Sequence, residues 1–240
     1  MTHASEYGAT WAAVYDELHA PPPSEVVDFL VARARGGPVL ELAVGTGRVA
    51  APLVEAGIEV HGIEISPSMI ERLHRNLGEA VPIVANDMTA FTLDRGYPMA
   101  LLGFNTLFGP TDPEAQANVF TSIHAALEPE GVFVIDCFVP DLGRFADDQS
   151  VRVAGMTDHW VRIDYSIHEP DRQLIRTIAD IRWLNGRTHL LPVTIRYLWP
   201  DQIDELAARA GLALAERYGW YDEAPFTDAS SHHVSVYRKV

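Results

Sequence analysis

Residues 39–50 read VLELAVGTGRVA, a short apolar run that stops at two glycines and continues into a helix-forming segment. VLELA (39–43) has the composition of a buried β-strand, and RVAAPLVEAG (48–57) is typical of a helix that ends at a glycine. Gly45 and Gly47 stand at the turn between them, where a missing Cβ lets a ligand approach the backbone. The stretch therefore predicts a strand, a ligand-binding turn and a helix.

The same alternation of strand and helix continues along the chain. Ser66-Pro67 and Gly78 bracket a second helix, because Ser is a favoured N-cap and Pro a favoured first helical residue. Buried strands separated by helices form parallel sheets covered on both faces, so we predict a Rossmann-like, doubly wound α/β fold with a seven-stranded sheet. The further strands are expected at 59–65, 81–87, 99–105 and 131–138, with another helix at 113–128.

The pattern changes after residue 150, where an antiparallel β insertion of three strands is predicted to follow strand five. Asn185-Gly186 is a strong hairpin signal. Strict alternation should place every second residue on one aromatic-rich face. The residues expected on that face are Val161, Ile163, Tyr165, Ile167, Thr177, Ala179, Ile181, Trp183, Val193, Ile195, Tyr197 and Trp199.

We expect a single domain with four parts. The amphipathic helix at 5–19 carries Tyr7, Trp11 and Tyr15 at a spacing of four residues. Ser24 is the expected N-cap of the next helix. The four parts are an N-terminal lid helix (1–23), a cofactor-binding core (24–150), the insertion covering the site (151–199), and the last helix with a C-terminal strand pair (200–240).

Composition excludes several classes of protein. The chain has 240 residues and a net charge of −15, with Lys239 as its only lysine, so nucleic acid is disfavoured as a partner. A mean hydropathy of +0.00 and the lack of a long apolar run argue against a membrane span. The single cysteine, Cys137, excludes a disulfide within the chain and fits a reducing cytoplasm. No metal-ligand spacing is present among the histidines, and no metal is expected.

Three acids stand at the ends of three successive predicted strands. Glu41 would repel a pyrophosphate but suits a cofactor that carries an ammonium and a sulfonium. Glu64 can accept hydrogen bonds from ribose hydroxyls, and Asp87 from an adenine amino group on which Met88 packs. Gly45-x-Gly47-x-x-Ala50 also fits the dinucleotide pattern, so a nicotinamide-dependent oxidoreductase stays open as an alternative.

These residues resemble the class I S-adenosylmethionine-dependent methyltransferases. The family's first motif matches as Glu41-x-Ala43-x-Gly45-x-Gly47, with Ala43 in place of a glycine. ALEPEGVFVID resembles the family's turn before strand five, with Glu130 at a glycine position. The resemblance implies S-adenosylmethionine as cofactor and S-adenosylhomocysteine as product. The cofactor-binding residues that it implies are Glu41, Ala43, Gly45, Gly47, Arg48, Glu64, Ile65, Met69, Asp87, Met88 and Asn105.

The aromatic N-terminal helix and the insertion are similar to the small-molecule branch, including glycine and aminosugar N-methyltransferases. The segment after strand four, Asn105-Thr-Leu-Phe108, lacks the Asn-Pro-Pro-Tyr of nucleic-acid amino methylases. The resemblance implies methylation of a small molecule in secondary metabolism, on nitrogen in preference to oxygen, by a monomer or homodimer. A protein that binds S-adenosylmethionine without transferring methyl is the remaining alternative.

Candidate residues for catalysis and acceptor binding come from the lid helix and the insertion. An activated methyl group requires in-line alignment and exclusion of water, and a base only when the nucleophile arrives protonated. Tyr15 and His19 are the candidates for orienting or deprotonating the acceptor. The predicted acceptor-binding residues are Phe108, Tyr165, Trp183, Tyr197 and Trp199, for all of which core packing is the alternative.

Overall fold

A computed structural model describes residues 3–240, with side chains from Tyr7 onward. The helices are α1 (His3–Trp11), α2 (Tyr15–Leu18), α3 (Ser24–Ala34), α4 (Ala50–Glu55), α5 (Pro67–Leu77), α6 (Pro113–Ala126) and α7 (Pro200–Arg209). The strands are β1 (Val39–Leu42), β2 (Val60–Glu64), β3 (Ile83–Ala85), β4 (Tyr97–Leu102), β5 (Leu127–Phe138), β6 (Gln149–Met156), β7 (Trp160–Glu169), β8 (Leu174–Trp183), β9 (Thr188–Arg196), β10 (Leu212–Tyr218) and β11 (His232–Lys239).

Seven strands form the main sheet in the order β10-β11-β5-β4-β1-β2-β3. β1 pairs in parallel with β2 on one side and with β4 on the other, while β10 and β11 are antiparallel. The predicted Rossmann-like sheet is confirmed. In such sheets ligands bind beyond the carboxyl ends of the strands where the strand order reverses, which here is between β1 and β4.

Apolar side chains cover both faces of this sheet. One cluster joins α6 to the sheet through Val119, Phe120 and Ile123, all fully buried. The other joins α3 and α4 to the opposite face, with Leu30 and Leu53 at its centre. The strands are therefore apolar on both sides, and the polar residues that matter are confined to their ends.

Three predictions about helix boundaries can be compared with the structure, and two of them need correction. Ser66 caps α5 as predicted, its Oγ accepting a hydrogen bond from the Met69 backbone N–H at 3.4 Å. Ser24 is instead the first residue of α3, after Pro23, and makes no side-chain cap. The helix predicted at 5–19 is broken into α1 and α2, because Ala12–Val14 form a turn between them.

Two residues at glycine positions of the family motifs adopt the backbone that glycine favours. Ala43 has a φ of 50° and Glu130 a φ of 62°. A left-handed conformation costs an L-residue about 1–2 kcal/mol, which the surrounding structure must offset. The sequence departs from the motifs at these positions, but the backbone keeps the geometry.

The insertion is a separate four-stranded antiparallel sheet in the order β6-β7-β8-β9. An antiparallel insertion after strand five is therefore confirmed, but it has one more strand than predicted. The additional strand is β6, which starts at Gln149, before the point where the sequence pattern changes.

The face predicted for β7 is wrong. Tyr165 is 42% exposed and Ile167 56% exposed. The residues that alternate with them, Asp164, Ser166 and His168, are buried. Tyr165 pairs with exposed Ile178, while Asp164 pairs with buried Ala179. Thr177, Ala179, Ile181 and Trp183 do share the inner face, as predicted, but opposite the polar residues of β7. Alternation identified the two faces correctly and assigned the wrong one to the interior.

Within residues 3–240, the helices are all too short or too polar to cross a membrane.

Candidate functional site

The turn between β1 and α4 is built from left-handed backbone. Gly45 has a φ of 60° and Gly47 a φ of 84°. The φ of Gly47 favours glycine, and a Cβ there would lie 2.6 Å from Leu77 Cδ1 of α5, so the Leu77 side chain would have to shift. Gly45 has no such neighbour and leaves its surface open.

Glu64 braces this turn from the end of β2. Its Oε2 accepts a hydrogen bond from the Gly45 backbone N–H at 3.0 Å, and its Oε1 accepts one from the Ser66 backbone N–H at 2.8 Å. Burial raises the pKa of Glu64, and these backbone donors oppose the rise. Each carboxylate oxygen can accept a further hydrogen bond, so the predicted ribose contact is compatible with the brace.

Glu41, at the end of β1, is a buried carboxyl group with one unsatisfied oxygen. Its residue is 6% exposed, and Oε2 has no hydrogen-bond partner among the described residues. Burial raises the pKa of Glu41 to about 8, while the nearby Arg48 guanidinium acts to lower it. An unsatisfied buried acceptor costs about 1–3 kcal/mol, which a ligand ammonium would offset. The residue therefore fits the amino group of S-adenosylmethionine.

Two adjoining cavities open at this end of the sheet. The larger has a volume of about 380 Å³ and is lined by Glu64, Asp87 and Met88 among others. The smaller has a volume of about 40 Å³ and lies beside Glu41 and Arg48. The two linings have five residues in common, which are Tyr15, Ala43, Gly45, Phe104 and Thr106.

Ten of the eleven predicted cofactor residues line one cavity or the other. The exception is Gly47, which packs against Leu77. Ile65, Met69 and Asn105 lie on the larger cavity. One carboxylate oxygen of Asp87 already has hydrogen-bond donors within the chain, since its Oδ1 accepts from Thr89 N at 2.9 Å and from Thr89 Oγ1 at 2.8 Å.

Sequence reasoning missed several lining residues. Tyr7 and Gly8 come from α1, and Val193, Thr194 and Ile195 from β9, so the N-terminal helix and the insertion both border the larger cavity. Asn86, Thr89, Phe104 and Thr106 are further residues that were not predicted. Their position directly after β3 and β4 was the available signal, because carboxyl ends of parallel strands meet at one edge.

Tyr15 and His19 are brought together, but only Tyr15 reaches a cavity. Their rings stack with centroids 4.4 Å apart, and His19 Nδ1 lies 3.0 Å from the Tyr15 backbone oxygen. Burial lowers the pKa of His19 and raises that of Tyr15. His19 lines neither cavity, so any influence on an acceptor there passes through Tyr15.

The five predicted acceptor-binding residues lie outside both cavities. Phe108 is fully buried against Phe138, with ring centroids 4.9 Å apart. Trp183 belongs to a buried cluster with Trp11, and Tyr197 Oη lies 3.1 Å from His168 Nε2. Trp199 packs against the core, and Tyr165 is on the exposed face of the insertion. Their role in binding an acceptor stays a prediction without support from the cavity geometry.

Within the described part of the chain, no three His, Cys, Asp or Glu side chains are grouped as metal ligands would be.

Comparison with known proteins agrees with this geometry. The family described as "Methyltransferase domain" matches residues 39–131, from β1 to the start of the buried part of β5. The CcbJ methyltransferase from Streptomyces caelestis shares 34% sequence identity and superposes over 100% of both chains with a TM-score of 0.91. The chain belongs to the S-adenosylmethionine-dependent methyltransferases.

Two further relatives of this methyltransferase differ in how much they share with it. The Cypemycin N-terminal methyltransferase of Streptomyces sp is 26% identical over 98% of both chains. The putative methyltransferase YqeM of Bacillus subtilis (strain 168) is 30% identical over 52% of this chain, and the match spans about half of that relative, 53% of its length. S-adenosylmethionine is the cofactor, which removes the nicotinamide alternative.

Proposed function

We propose that this methyltransferase transfers a methyl group to an amine nitrogen of a small natural-product molecule. The observation that carries the choice of nitrogen is the set of titratable groups at the cavities. The titratable residues lining them are Tyr7, Tyr15, Glu41, Arg48, Glu64 and Asp87, and this described lining has no histidine or lysine. Since Glu41, Glu64 and Asp87 are assigned to the cofactor in this proposal and burial raises the pKa of Tyr7 and Tyr15, the described lining leaves no general base for the acceptor. A neutral amine needs no base to attack, whereas a hydroxyl requires one.

The two cavities suit the two halves of the cofactor. In this proposal Glu41 receives the methionine ammonium and Arg48 the carboxylate, because these are the acidic and the basic residue of the smaller cavity. Glu64, Asp87 and Met88 receive the adenosyl half in the larger cavity. The sulfur joins the two halves, so it belongs at the junction formed by the five shared lining residues.

The cofactor supplies a methyl group already activated by positive charge on sulfur. With that cofactor bound, the acceptor nitrogen would form the N–C bond as the C–S bond breaks, and the electrons of the broken bond would stay on sulfur. The new ammonium would release its proton to solvent after the product leaves the site. The chain's part is to align the two reactants and exclude water, which can supply most of the acceleration.

Tyr15 is the residue proposed to orient the acceptor. It lines both cavities, and its raised pKa keeps the phenol protonated as a hydrogen-bond donor. His19 supports it by ring stacking, and its lowered pKa keeps the imidazole neutral. We further propose that residues 3–23 and 151–199 together form the cover of the site, since α1 and β9 both line the larger cavity. Residues 1–2 of the predicted lid lie outside the described residues.

Relatives support a natural-product acceptor. The Cypemycin N-terminal methyltransferase, which matches 98% of this chain, has a name that indicates an amine acceptor for that protein. The nearly full-length match to it includes the lid and the insertion. An O-directed reaction remains the competing proposal for the acceptor atom.

The test uses labelled S-adenosylmethionine and pairs of acceptors that differ only in the reacting group. Aminosugars and peptides with free N-termini are compared with the matching hydroxyl compounds, and product is detected by mass spectrometry. Methylation of amines but not of their hydroxyl partners supports the proposal. Methylation of the hydroxyl partners alone overturns it, and tight binding of the cofactor with no product from either set favours a binding protein without transfer.

A further inference from the structure

The turn that follows β4 holds two consecutive residues in left-handed backbone. Phe104 has a φ of 57° and Asn105 a φ of 64°, and neither is glycine. Left-handed backbone is unfavourable for residues with a Cβ and persists only where the surrounding structure holds it. The residues that hold this turn therefore control its conformation.

Asp136 of β5 holds the turn through three hydrogen bonds. Its Oδ1 accepts from the Phe104 backbone N–H and, at 3.3 Å, from the Asn105 backbone N–H. Its backbone oxygen also accepts from the Asn105 N–H, at 3.2 Å. Asn105 Oδ1 in turn accepts from the Phe138 backbone N–H at 2.6 Å. The turn is thus tied to β5 on both sides.

A residue distant in sequence completes the arrangement. Tyr221, in the loop between β10 and β11, donates its hydroxyl to Asp136 Oδ2 at 2.7 Å. Asp136 is 4% exposed and Tyr221 2% exposed, and Tyr221 packs edge-on against Phe29 with ring centroids 5.2 Å apart. Among the described residues Asp136 has no ion-pair partner, so the tyrosine is the side chain that satisfies its second oxygen.

This buried pair lies behind the place where the two cavities meet. Phe104 and Thr106 line both cavities, whereas Asp136 and Tyr221 line neither. The junction is where the transferred methyl group belongs in the function proposed above. The hydrogen bonds that Asp136 accepts thus set the conformation of the backbone that faces that group.

We propose that Asp136 and Tyr221 are positioning residues that hold the Phe104–Thr106 turn against the transferred methyl group. They act through the turn and touch neither cofactor nor acceptor. This inference rests on the proposed location of the cofactor, so its test must separate loss of cofactor binding from loss of alignment.

The test compares two ligands that need no acceptor. S-adenosylhomocysteine lacks the methyl group, whereas sinefungin carries an amine at the position of that group. The ratio of their dissociation constants, measured by calorimetry, reports contacts at the methyl position. Hydrogen exchange in a peptide covering residues 103–108 reports how firmly the turn is held.

Tyr221→Phe removes the single hydroxyl donor. We expect sinefungin to bind about tenfold more weakly relative to S-adenosylhomocysteine, which is the scale of a lost hydrogen bond to a charged group. Binding of S-adenosylhomocysteine should change less than about twofold, and exchange at 103–108 should accelerate. Tyr218→Phe is the matched control, because that hydroxyl donates to Glu216 Oε2 at 3.2 Å and lines neither cavity. It should leave the ratio unchanged.

Asp136→Asn keeps an acceptor for the turn and offers an amide to Tyr221, so it should fold and give a smaller change in the ratio. An unchanged ratio in Tyr221→Phe, with wild-type binding of S-adenosylhomocysteine, would overturn the inference. So would unfolding of both variants, which would make the pair purely structural. Failure of the wild-type protein to bind S-adenosylhomocysteine would instead remove the function on which the inference rests.

Discussion

The guanidinium carbon of Arg48 lies 3.6 Å from the centre of the Phe104 ring. Arg48 also stands beside the buried carboxyl group of Glu41, whose pKa it acts to lower. One side chain therefore connects the turn after β1 with the turn after β4, the two turns that border the smaller cavity. Because cofactor and acceptor must be aligned between these turns, this contact has consequences for binding.

Arg48→Lys should weaken S-adenosylmethionine binding by about tenfold, since lysine has neither the planar stacking face nor the forked donors of arginine. Calorimetric titration measures the change. Arg75→Lys is the control, because Arg75 makes an exposed pair with Glu71 within α5 and should bind the cofactor as the wild type does. Equal affinity of both variants would contradict the role given to Arg48.

Cofactor binding should be coupled to proton release by Glu41. The pKa of Glu41 is raised by burial to about 8, so the carboxyl group is largely protonated at pH 7. A bound ammonium favours the charged form and lowers that pKa, so binding releases a proton. Affinity should therefore fall by up to about tenfold for each pH unit below 8.

Titration at pH 7 in two buffers with different ionisation enthalpies measures the released proton directly. Glu41→Gln should bind the cofactor more weakly and with little pH dependence between pH 6 and 8. Glu59→Gln, which alters an exposed acid, is the control. Proton release that persists in Glu41→Gln would assign the coupling to another group.

Gly47→Ala should destabilise the protein by about 1–3 kcal/mol through strain and overpacking. Its φ is +84°, and the new Cβ would lie 2.6 Å from Leu77 Cδ1. Gly36→Ala separates the two effects, because Gly36 has a φ of +76° and its new Cβ would have no neighbour within 4 Å. Thermal unfolding should show the larger fall in Tm for Gly47→Ala. Equal falls in Tm for the two variants would mean that the contact with Leu77 adds nothing to the loss of stability.

Tyr15→Phe should lower turnover more than His19→Ala does, with the acceptor found in the matched-pair assay. Tyr15 lines both cavities, whereas His19 lines neither and stacks on the Tyr15 ring. Neither variant should change the dissociation constant of S-adenosylhomocysteine by more than about threefold, a shift below one hydrogen bond. A greater loss in His19→Ala would return the direct role to the histidine.

A substitution of Glu64 tests the two hydrogen bonds by which it holds the glycine turn. Glu64→Gln leaves one oxygen to serve the two backbone donors of Gly45 and Ser66, and its amide nitrogen would face an N–H group. Binding of S-adenosylmethionine should fall by about a hundredfold, the scale of an unpaired buried donor together with a lost ribose contact. Glu71→Gln, on the exposed side of α5, should bind normally.

Much of the cofactor site could be predicted because its signals are local. The strand, glycine turn and helix at 39–57 are adjacent in sequence, and parallel strands bring their carboxyl ends together whatever their length. The positions of Glu41, Glu64 and Asp87 at the ends of successive strands were therefore enough to assign them to one edge of the sheet. The left-handed conformation of Ala43 could not be predicted from its residue type, because alanine does not favour it; only its match to a motif glycine indicates it.

The acceptor side could not be predicted from the same kind of signal. Alternation along β7 separated two sets of residues, but only the packing of the insertion in the folded chain decided which set is buried. Tyr165 was expected inside and is exposed, while Asp164 beside it is buried.

The sequence by itself determined the Rossmann-like sheet, the glycine turn and the acids at the ends of its strands, because periodicity and turn chemistry act over a few residues. Only the tertiary structure decided which face of the insertion is buried, that Tyr15 reaches the cavities while His19 does not, and that Tyr221 meets Asp136 across 85 residues. Those outcomes depend on contacts between elements far apart in the chain, and such contacts leave no periodic trace in either partner.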